Sequence, residues 1–242
     1  MTIRIRQLLV ADSRAFSFDQ YPQPKPSSLN LDFVIIRGAT IEDLIIPTLA
    51  KLRGYSTSDF VIIKLAAGIN DLTKFVRQSH GSNKVLRKSD ISLEGLFAKF
   101  IRFKQQVLAC RPTTVISVVT IPSASFARFQ ASKHLPSPIL SEEDLKYNQK
   151  QIDSLLDLAN ARIRSLNAEL QLGITTRTLS WHNSIRKPSK RRNRTGHYTT
   201  LRNDFSQLYD GLHAKSTLKR RWYKELLKSF EIDSQALRKQ LS

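Results

Sequence analysis

Leu8-Leu9-Val10-Ala11-Asp12-Ser13 is a short apolar run that ends in an acid and a serine. A run of this kind, bounded by polar residues, is typical of a strand that is buried on both faces of a sheet. Similar runs follow at 33–36, 60–65, 114–119 and, more weakly, 173–179. Segments with helical periodicity lie between or after them, at about 40–52, 93–109, 141–170 and 215–230. The alternation predicts an α/β fold with a parallel sheet that is covered by helices on both faces.

Length and composition predict one globular domain. The 242 residues suit a single domain over 1–242, with a basic loop at about 186–202 and a basic C-terminal helix. Hydrophobic residues make up 40% of the chain, which argues against disorder throughout. The single cysteine excludes an internal disulfide, and no apolar run is long enough for a signal-peptide core or a membrane span. We therefore expect an intracellular protein without a transmembrane segment.

Four short elements stand where predicted strands end or where the last helix begins. They are Ala11-Asp12-Ser13, Arg37-Gly38-Ala39, Gly68-Ile69-Asn70-Asp71 and Asp210-Gly211-Leu212-His213. Ligands of open parallel sheets bind beyond the carboxyl ends of the strands. We expect the four elements to converge at that edge, although they are far apart in the sequence.

Their residue types predict nucleophilic catalysis. A serine hydroxyl such as that of Ser13 is a weak nucleophile and needs a neighbouring base, which His213 can supply. Asp210, three residues before His213, can hold the imidazole in the required tautomer. Attack on an ester carbonyl creates an oxyanion, to which the N–H of Gly38, the side-chain amide of Asn70 and the N–H of Ser13 could donate.

On these residues the chain resembles the SGNH hydrolases, which are named for a Ser, a Gly, an Asn and a His in four separated blocks. Ser13, Gly38, Asn70 and His213 match the blocks in order, and Asp210 matches the family's Asp-x-x-His. The resemblance implies a flavodoxin-like three-layer α/β/α fold with a five-stranded parallel sheet. It also implies hydrolysis of a carboxylic ester or acyl group on a small substrate, without a metal or organic cofactor. An acyl transferase would use the same residues with a different acceptor.

The first block departs from the family's Gly-Asp-Ser-apolar pattern, because Ala11 replaces the glycine and Arg14 replaces the apolar residue. We expect Arg14 to point to solvent, since a charged residue at a helix start is usually solvated. Trp181 and Trp222 are expected to be packing residues. No histidine outside the four blocks has partners at metal-ligand spacing, and we expect surface or loop positions for His80, His134, His182 and His197.

The charge of the chain predicts a polyanionic partner. Lys and Arg number 39 against 20 Asp and Glu, a formal net charge of +19. Residues 181–230 hold 13 Lys or Arg against three acids, interleaved with aromatic residues. Basic residues mixed with aromatics suit phosphate contacts with base stacking. The candidate nucleic-acid-binding residues are Arg191, Arg192, Arg194, Lys219, Arg220 and Arg221.

This charge leaves a second function open, a catalytically inert module of the same fold that binds RNA or DNA. Some proteins that resemble the family have become RNA binders, and these typically lack the catalytic residues, which the present chain retains. Related esterase domains also occur in proteins encoded by some mobile elements, a setting that the positive charge would suit.

Overall fold

The structure is a computed structural model that describes residues 4–21, 30–77, 84–132, 141–169, 178–193 and 196–242. In chain order, its strands and α-helices are β1 Ile5–Ala11, β2 Asn30–Ile35, α1 Ile45–Arg53, β3 Phe60–Ala66, α2 Ile69–Leu72, β4 Thr73–Arg77, β5 Lys84–Lys88, α3 Leu93–Cys110, β6 Val115–Val118, α4 Phe126–Ala131, α5 Glu142–Glu169, α6 Trp181–Ser184, β7 Arg186–Asn193, β8 Gly196–Asn203 and α7 Ser216–Leu241.

A parallel sheet with the strand order β2-β1-β3-β6 forms the centre of the fold. Its strands are apolar because both faces are covered, with Leu8 and Val10 packed on one side of β1 and Leu9 and Ala11 on the other. Among the described residues this parallel sheet has four strands, whereas five were expected. The predicted fifth strand at 173–179 lies mostly outside the described residues. Where it ends, the carbonyl oxygen of Leu179 accepts a hydrogen bond of 3.0 Å from the N–H of Thr120, just beyond β6.

Helices flank the sheet in two layers. The apolar faces of α1, α3 and α5 pack against one side of it, and α6 and α7 pack against the other. Trp181 of α6 and Trp222 of α7 are fully buried and stack with ring centroids 4.9 Å apart, which confirms their predicted packing role. Among the residues described here, no helix is both long and apolar enough to cross a membrane.

Polar contacts inside the core fix α7 on the sheet. Lys64 of β3 and Asp233 of α7 are both fully buried, and the lysine Nζ lies 2.6 Å from the carboxylate. Beside them, the side-chain amide of Gln7 donates to the hydroxyl of Ser234 at 2.9 Å. A buried charge without its partner would be strongly destabilising, so these contacts select one register of α7. That register matters for the site, because α7 begins three residues after His213.

The basic segment at 186–202 was predicted to be a loop, but it forms the antiparallel hairpin of β7 and β8. Its two strands pair along their whole length, and among the described residues Arg186 and Asn203 at its base contact Asp157 and Asp153 of α5. Strands were not predicted here because the segment lacks the apolar alternation that marks a half-buried sheet. A second hairpin, of β4 and β5, was not predicted, and α7 extends to Leu241 rather than ending near Phe230.

Candidate active site

Ser13 begins the short 3₁₀ turn Ser13–Ala15 that directly follows β1. The preceding residue, Asp12, is extended, and its carboxylate accepts a hydrogen bond of 2.9 Å from the N–H of Arg14. This cap ends the strand sharply and leaves the side chain of Ser13 half-buried at the carboxyl edge of the sheet. A serine in this position can reach groups that other loops bring to the same edge.

Asp210 and His213 lie on one turn immediately before α7, and they meet Ser13 there. Nδ1 of His213 lies 2.8 Å from Oδ2 of Asp210, and Nε2 lies 3.0 Å from Oγ of Ser13. Since the carboxylate can only accept, Nδ1 carries the ring proton, and Nε2 offers its lone pair to the serine hydroxyl. The structure therefore brings together three residues that span 200 positions of the sequence.

The carboxylate of Asp210 is held ionised by its own turn. Its Oδ1 accepts the backbone N–H groups of Leu212 at 3.0 Å and of His213 at 2.8 Å. Partial burial alone would raise the pKa of Asp210, but the hydrogen bonds from the His213 side chain and from these two amides lower it well below its ordinary value. A carboxylate that stays charged near neutral pH can stabilise an imidazolium at His213.

Asn70, which lies on α2, contacts the loop after β2 that carries Gly38. The side-chain amide of Asn70 donates to the carbonyl oxygen of Ala39 at 2.9 Å, which uses one of its two N–H groups. Gly38 has a φ of +70°, which favours glycine, and its N–H has no acceptor in the described part of the chain. No atom lies within 4 Å of the place where a Cβ would stand, so the side of Gly38 is open.

Asp71 connects this loop to α3 through hydrogen bonds. Its carboxylate accepts the backbone N–H of Ile41 at 3.0 Å and the ammonium group of Lys99 at 2.9 Å. The side chain is almost fully buried, and these contacts give it a structural role. Gly68 directly precedes α2 and has a φ of +123°, which favours glycine. A Cβ at this position would lie 2.7 Å from the side chain of Ile121.

Arg14 is buried, which makes the prediction of a solvent-exposed side chain wrong. Only 3% of the residue is exposed, and its guanidinium donates to the carbonyl oxygen of Pro122. Burial lowers the pKa of Arg14 to about 10, although the charges of Asp12 and Asp210 raise it. The carboxylates of Asp12 and Asp210 thereby compensate part of the cost of removing the guanidinium from water.

Two nitrogens of that guanidinium, Nε and Nη2, have no hydrogen-bond partner among the described residues. Arg14 and Asp12 line a small cavity of about 10 Å³ together with Pro122 and Trp181. This volume is about what one water molecule needs.

The segment after β6 joins the two halves of the site. Pro122 receives Arg14 from the nucleophile turn, and three residues later the N–H of Ser125 donates to the carbonyl oxygen of Gly211 at 2.7 Å. Gly211 lies between Asp210 and His213, with a φ of +84°. The two backbone segments approach so closely that a Cβ on residue 211 would overlap the carbonyl oxygen of Ser125 and lie 2.7 Å from the N–H nitrogen of Phe129.

Polar side chains on the inner face of α5 hold this segment in place, and the sequence analysis missed them. The amide of Asn160 accepts from the N–H of Ile121 at 2.7 Å and donates to its carbonyl oxygen at 2.9 Å. Asn167 makes the same pair of bonds to Val118, both at 2.8 Å. The available signal was that these asparagines occur at helical spacing on the apolar face of the segment, where polar residues need partners.

The candidate nucleic-acid residues occupy two places. Arg191 and Arg192 belong to β7, and Arg194 lies outside the described residues. Lys219, Arg220 and Arg221 lie in the first two turns of α7, next to the loop of His213. The structure thus places part of the basic region beside the candidate active site and part on the hairpin.

His182 was expected at the surface, but only 2% of it is exposed. Its Nε2 lies 3.0 Å from the carboxylate of Asp157. Burial and the nearby charge of Arg186 lower the pKa of His182 to about 4, although Asp157 raises it. Within the described ranges, no group of three or more His, Cys, Asp or Glu side chains could hold a metal ion.

The fold is similar to that of solved esterases and acyl-transfer enzymes. A member of the lipolytic G-D-S-L family from Veillonella parvula is 8% identical, and the match covers 94% of this chain and 98% of that one at a TM-score of 0.53. A family 3 carbohydrate esterase from Clostridium thermocellum is 14% identical over 96% and 100% of the two chains at a TM-score of 0.50. The catalytic domain of a peptidoglycan O-acetyltransferase from Streptococcus pneumoniae is 12% identical over 97% of each chain at a TM-score of 0.50.

A scan against protein-family models and a search of curated proteins each gave no match. The structural matches nevertheless show that the chain has the SGNH hydrolase fold. They confirm the resemblance seen in the sequence at the level of the fold. Identities of this size carry the architecture only. The assignment of chemical roles depends on the geometry of the site.

Proposed function

We propose that the protein is a serine esterase that hydrolyses a carboxylic ester through Ser13, His213 and Asp210. The observation that carries the proposal is the unbroken sequence of contacts from Asp210 through His213 to Ser13, at 2.8 and 3.0 Å. Structural neighbours described as esterases and as members of a lipolytic family are consistent with it.

The reaction follows from the roles of these atoms. Oγ of Ser13 attacks the carbonyl carbon while Nε2 of His213 takes its proton, and Asp210 stabilises the imidazolium that forms. The negative charge on the carbonyl oxygen is stabilised by the N–H of Gly38, the free N–H of the Asn70 amide and the N–H of Ser13.

As the tetrahedral intermediate collapses, His213 returns the proton to the departing alkoxide, which leaves as the alcohol, and the acyl group stays on Ser13. Water then attacks the acyl-enzyme in the same way. It gives one proton to His213, which passes it to Oγ as the carboxylic acid is released. An acyl transferase would accept an alcohol in place of this water, so added alcohols that divert the acyl group would reveal that variant of the same chemistry.

The test is hydrolysis of p-nitrophenyl esters from acetyl to octanoyl by the purified protein and by two variants. We expect turnover by the protein, and none above background for Ser13→Ala. Ser58→Ala, an exposed serine on the loop before β3, is the matched control and should keep full activity. A folded protein without Ser13-dependent turnover on any of these esters would overturn the proposal.

The hairpin of β7 and β8 supports a second candidate function, the binding of nucleic acid. Its stretch from 186 to 203 contains seven Lys or Arg and no acid. Two-stranded antiparallel ribbons can enter the major groove of a duplex, where basic side chains contact phosphates and base edges. Because the contacts of the hairpin with α5 lie at its base, it can serve as such an arm without disturbing the candidate active site.

This candidate is tested by the retention of the protein on a polyanion column at increasing salt. We expect the combined replacement of Arg191, Arg192 and Arg194 by Gln to lower the eluting salt concentration, because each lost phosphate contact removes about 0.9 from the logarithmic salt slope. Ser13→Ala should elute with the unmodified protein. Unchanged elution of the triple variant would reject the hairpin as the binding surface.

A further inference from the structure

Two cationic side chains meet at Phe16, three residues after Ser13. Phe16 ends the turn that Ser13 begins, and 38% of it is exposed. Cζ of Arg37 lies 3.9 Å from the centre of the Phe16 ring. Nζ of Lys219 donates to the carbonyl oxygen of Phe16 at 3.3 Å. A guanidinium from the loop after β2 and an ammonium group from α7 are thus anchored on one residue beside the nucleophile.

Neither Arg37 nor Lys219 forms an ion pair with a carboxylate in the part of the chain that the structure describes. Some cations of the domain do form such pairs. Lys51 lies 2.9 Å from the carboxylate of Asp32, and Lys99 lies 2.9 Å from that of Asp71. The carboxylate of Asp210, in the same candidate site, accepts a hydrogen bond from Nδ1 of His213. Two positive charges beside the candidate active site therefore lie outside any ion pair among the described residues.

Their positions define where a bound anion would lie. Arg37 directly precedes Gly38, the proposed oxyanion donor. Lys219 lies on the first turn of α7. Partial burial lowers the pKa of its ammonium group, and the nearby charge of Asp210 raises it. A stacked guanidinium has lost much of its freedom before binding, which reduces the entropy that an anionic ligand must overcome. An anion bound by both side chains would lie next to Gly38 on the loop after β2 and next to His213 just before α7.

We propose that the natural substrate is an ester that carries a carboxylate or a phosphate close to the scissile bond, and that Arg37 and Lys219 bind this anionic group. The inference rests on the proposed esterase function, because it assigns the substrate class of the same site. Guanidinium and ammonium groups form charge-assisted hydrogen bonds with both kinds of oxyanion. The binding energy would hold the ester carbonyl near Ser13 and favour such esters over those whose flanking groups are purely apolar.

The net charge of +19 offers a different reason for a preference for anions. A strongly positive protein attracts every anionic substrate through its long-range field. That attraction is screened at an ionic strength of about 0.15 M, where the Debye length is about 8 Å, and it depends little on any one surface charge. A local contact depends on particular residues and persists at this salt concentration. Comparison of near and distant variants at fixed salt separates the two causes.

The experiment measures kcat/KM for two matched pairs of esters at that ionic strength, with background from Ser13→Ala subtracted. In the first pair the acyl group carries the charge, as in p-nitrophenyl hemisuccinate against p-nitrophenyl butyrate. In the second pair the alcohol carries it, as in monoacetylated glycerol 3-phosphate against monoacetylated glycerol. The two pairs distinguish a carboxylate on the acyl side from a phosphate on the alcohol side.

We expect the anionic ester to be preferred by about tenfold in at least one pair, which corresponds to about 1.4 kcal/mol. Arg37→Gln and Lys219→Gln should each move the ratio of anionic to neutral rates towards one. The matched controls are Arg53→Gln at the end of α1 and Lys224→Gln on α7, both exposed, and both should keep the original ratio.

Three results would overturn the inference. The first is equal or better use of the neutral ester in both pairs, which leaves the esterase proposal intact if turnover needs Ser13. The second is an equal loss of preference in the near and the distant variants, which would assign the preference to the field of the whole protein. The third is the absence of Ser13-dependent turnover on every ester, which removes the esterase proposal and this inference together.

Discussion

Replacing Gly211 by Ala should damage both the stability of the fold and the geometry of the candidate triad. Gly211 has a φ of +84°, and the left-handed region costs a residue with a Cβ about 1–2 kcal/mol. The new Cβ would also overlap the carbonyl oxygen of Ser125, so the two segments must separate. Separation breaks the bond from the Ser125 N–H to the Gly211 carbonyl, which contributes about 1 kcal/mol.

These contributions sum to a loss of about 2–3 kcal/mol in the free energy of unfolding. In a domain of this size that loss lowers the unfolding midpoint by about 5–10 °C. The catalytic effect is larger, because Asp210 and His213 flank the substituted residue. A displacement of about 1 Å at a catalytic group reduces turnover by about 100-fold.

The assay combines thermal unfolding with hydrolysis of a p-nitrophenyl ester. Gly54→Ala is the matched control, because Gly54 has a φ of −78° and an added Cβ there would make only an ordinary contact of 3.4 Å with the carbonyl oxygen of Lys51. We expect its midpoint and its activity to match those of the unmodified protein. If Gly211→Ala kept its midpoint and its turnover, the close approach of Ser125 to the His213 loop would not be what positions the triad.

Three further predictions follow from other parts of the structure. Asp210→Asn should lower kcat by about three to four orders of magnitude without unfolding the protein, because an amide that donates to Nδ1 forces the wrong tautomer on His213; a loss below tenfold would contradict the assigned role. Lys64→Met should cost about 3–5 kcal/mol in urea unfolding because it removes the cation that pairs with the buried carboxylate of Asp233, and the additional change Asp233→Leu should restore most of it. If the double variant is no more stable than the single one, the ion pair is not the cause. The pKa of His182 is lowered from 6.5 to about 4, so neutral His182 contributes stability that is fully present above pH 6.5 and is lost as the pH falls towards about 4. His182→Gln should flatten this acid limb of the unfolding midpoint, and a limb of unchanged slope would reject the assignment.

The sequence was sufficient to predict which residues meet at the site, because the physics of a parallel sheet brings the ends of its strands to one edge. Ser13 follows a recognisable buried strand, and the spacing of Asp210 and His213 places them on a single turn. The same rule predicted that Gly38 and Asn70 would lie close together, and the contact of Asn70 with Ala39 agrees with it.

Arg14 and the basic hairpin could not be predicted in this way, because long-range contacts decide both. The acceptor of the Arg14 guanidinium, Pro122, lies 108 residues further along the chain. A local rule that assigns charged residues to solvent has no access to such a partner. In the hairpin, basic residues replace the apolar alternation by which strands are recognised, so the pairing of β7 with β8 left no local pattern.

The distance in sequence between the nucleophile and its base has a consequence for biosynthesis. Ser13 leaves the ribosome before His213 and α7, which are made some 200 residues later. Closing so long a loop costs entropy, and topologies dominated by such contacts fold slowly. Under the proposed mechanism, the growing chain carries an unactivated serine while the intervening residues are synthesised. Hydrolysis could then begin only when α7 has packed against the sheet.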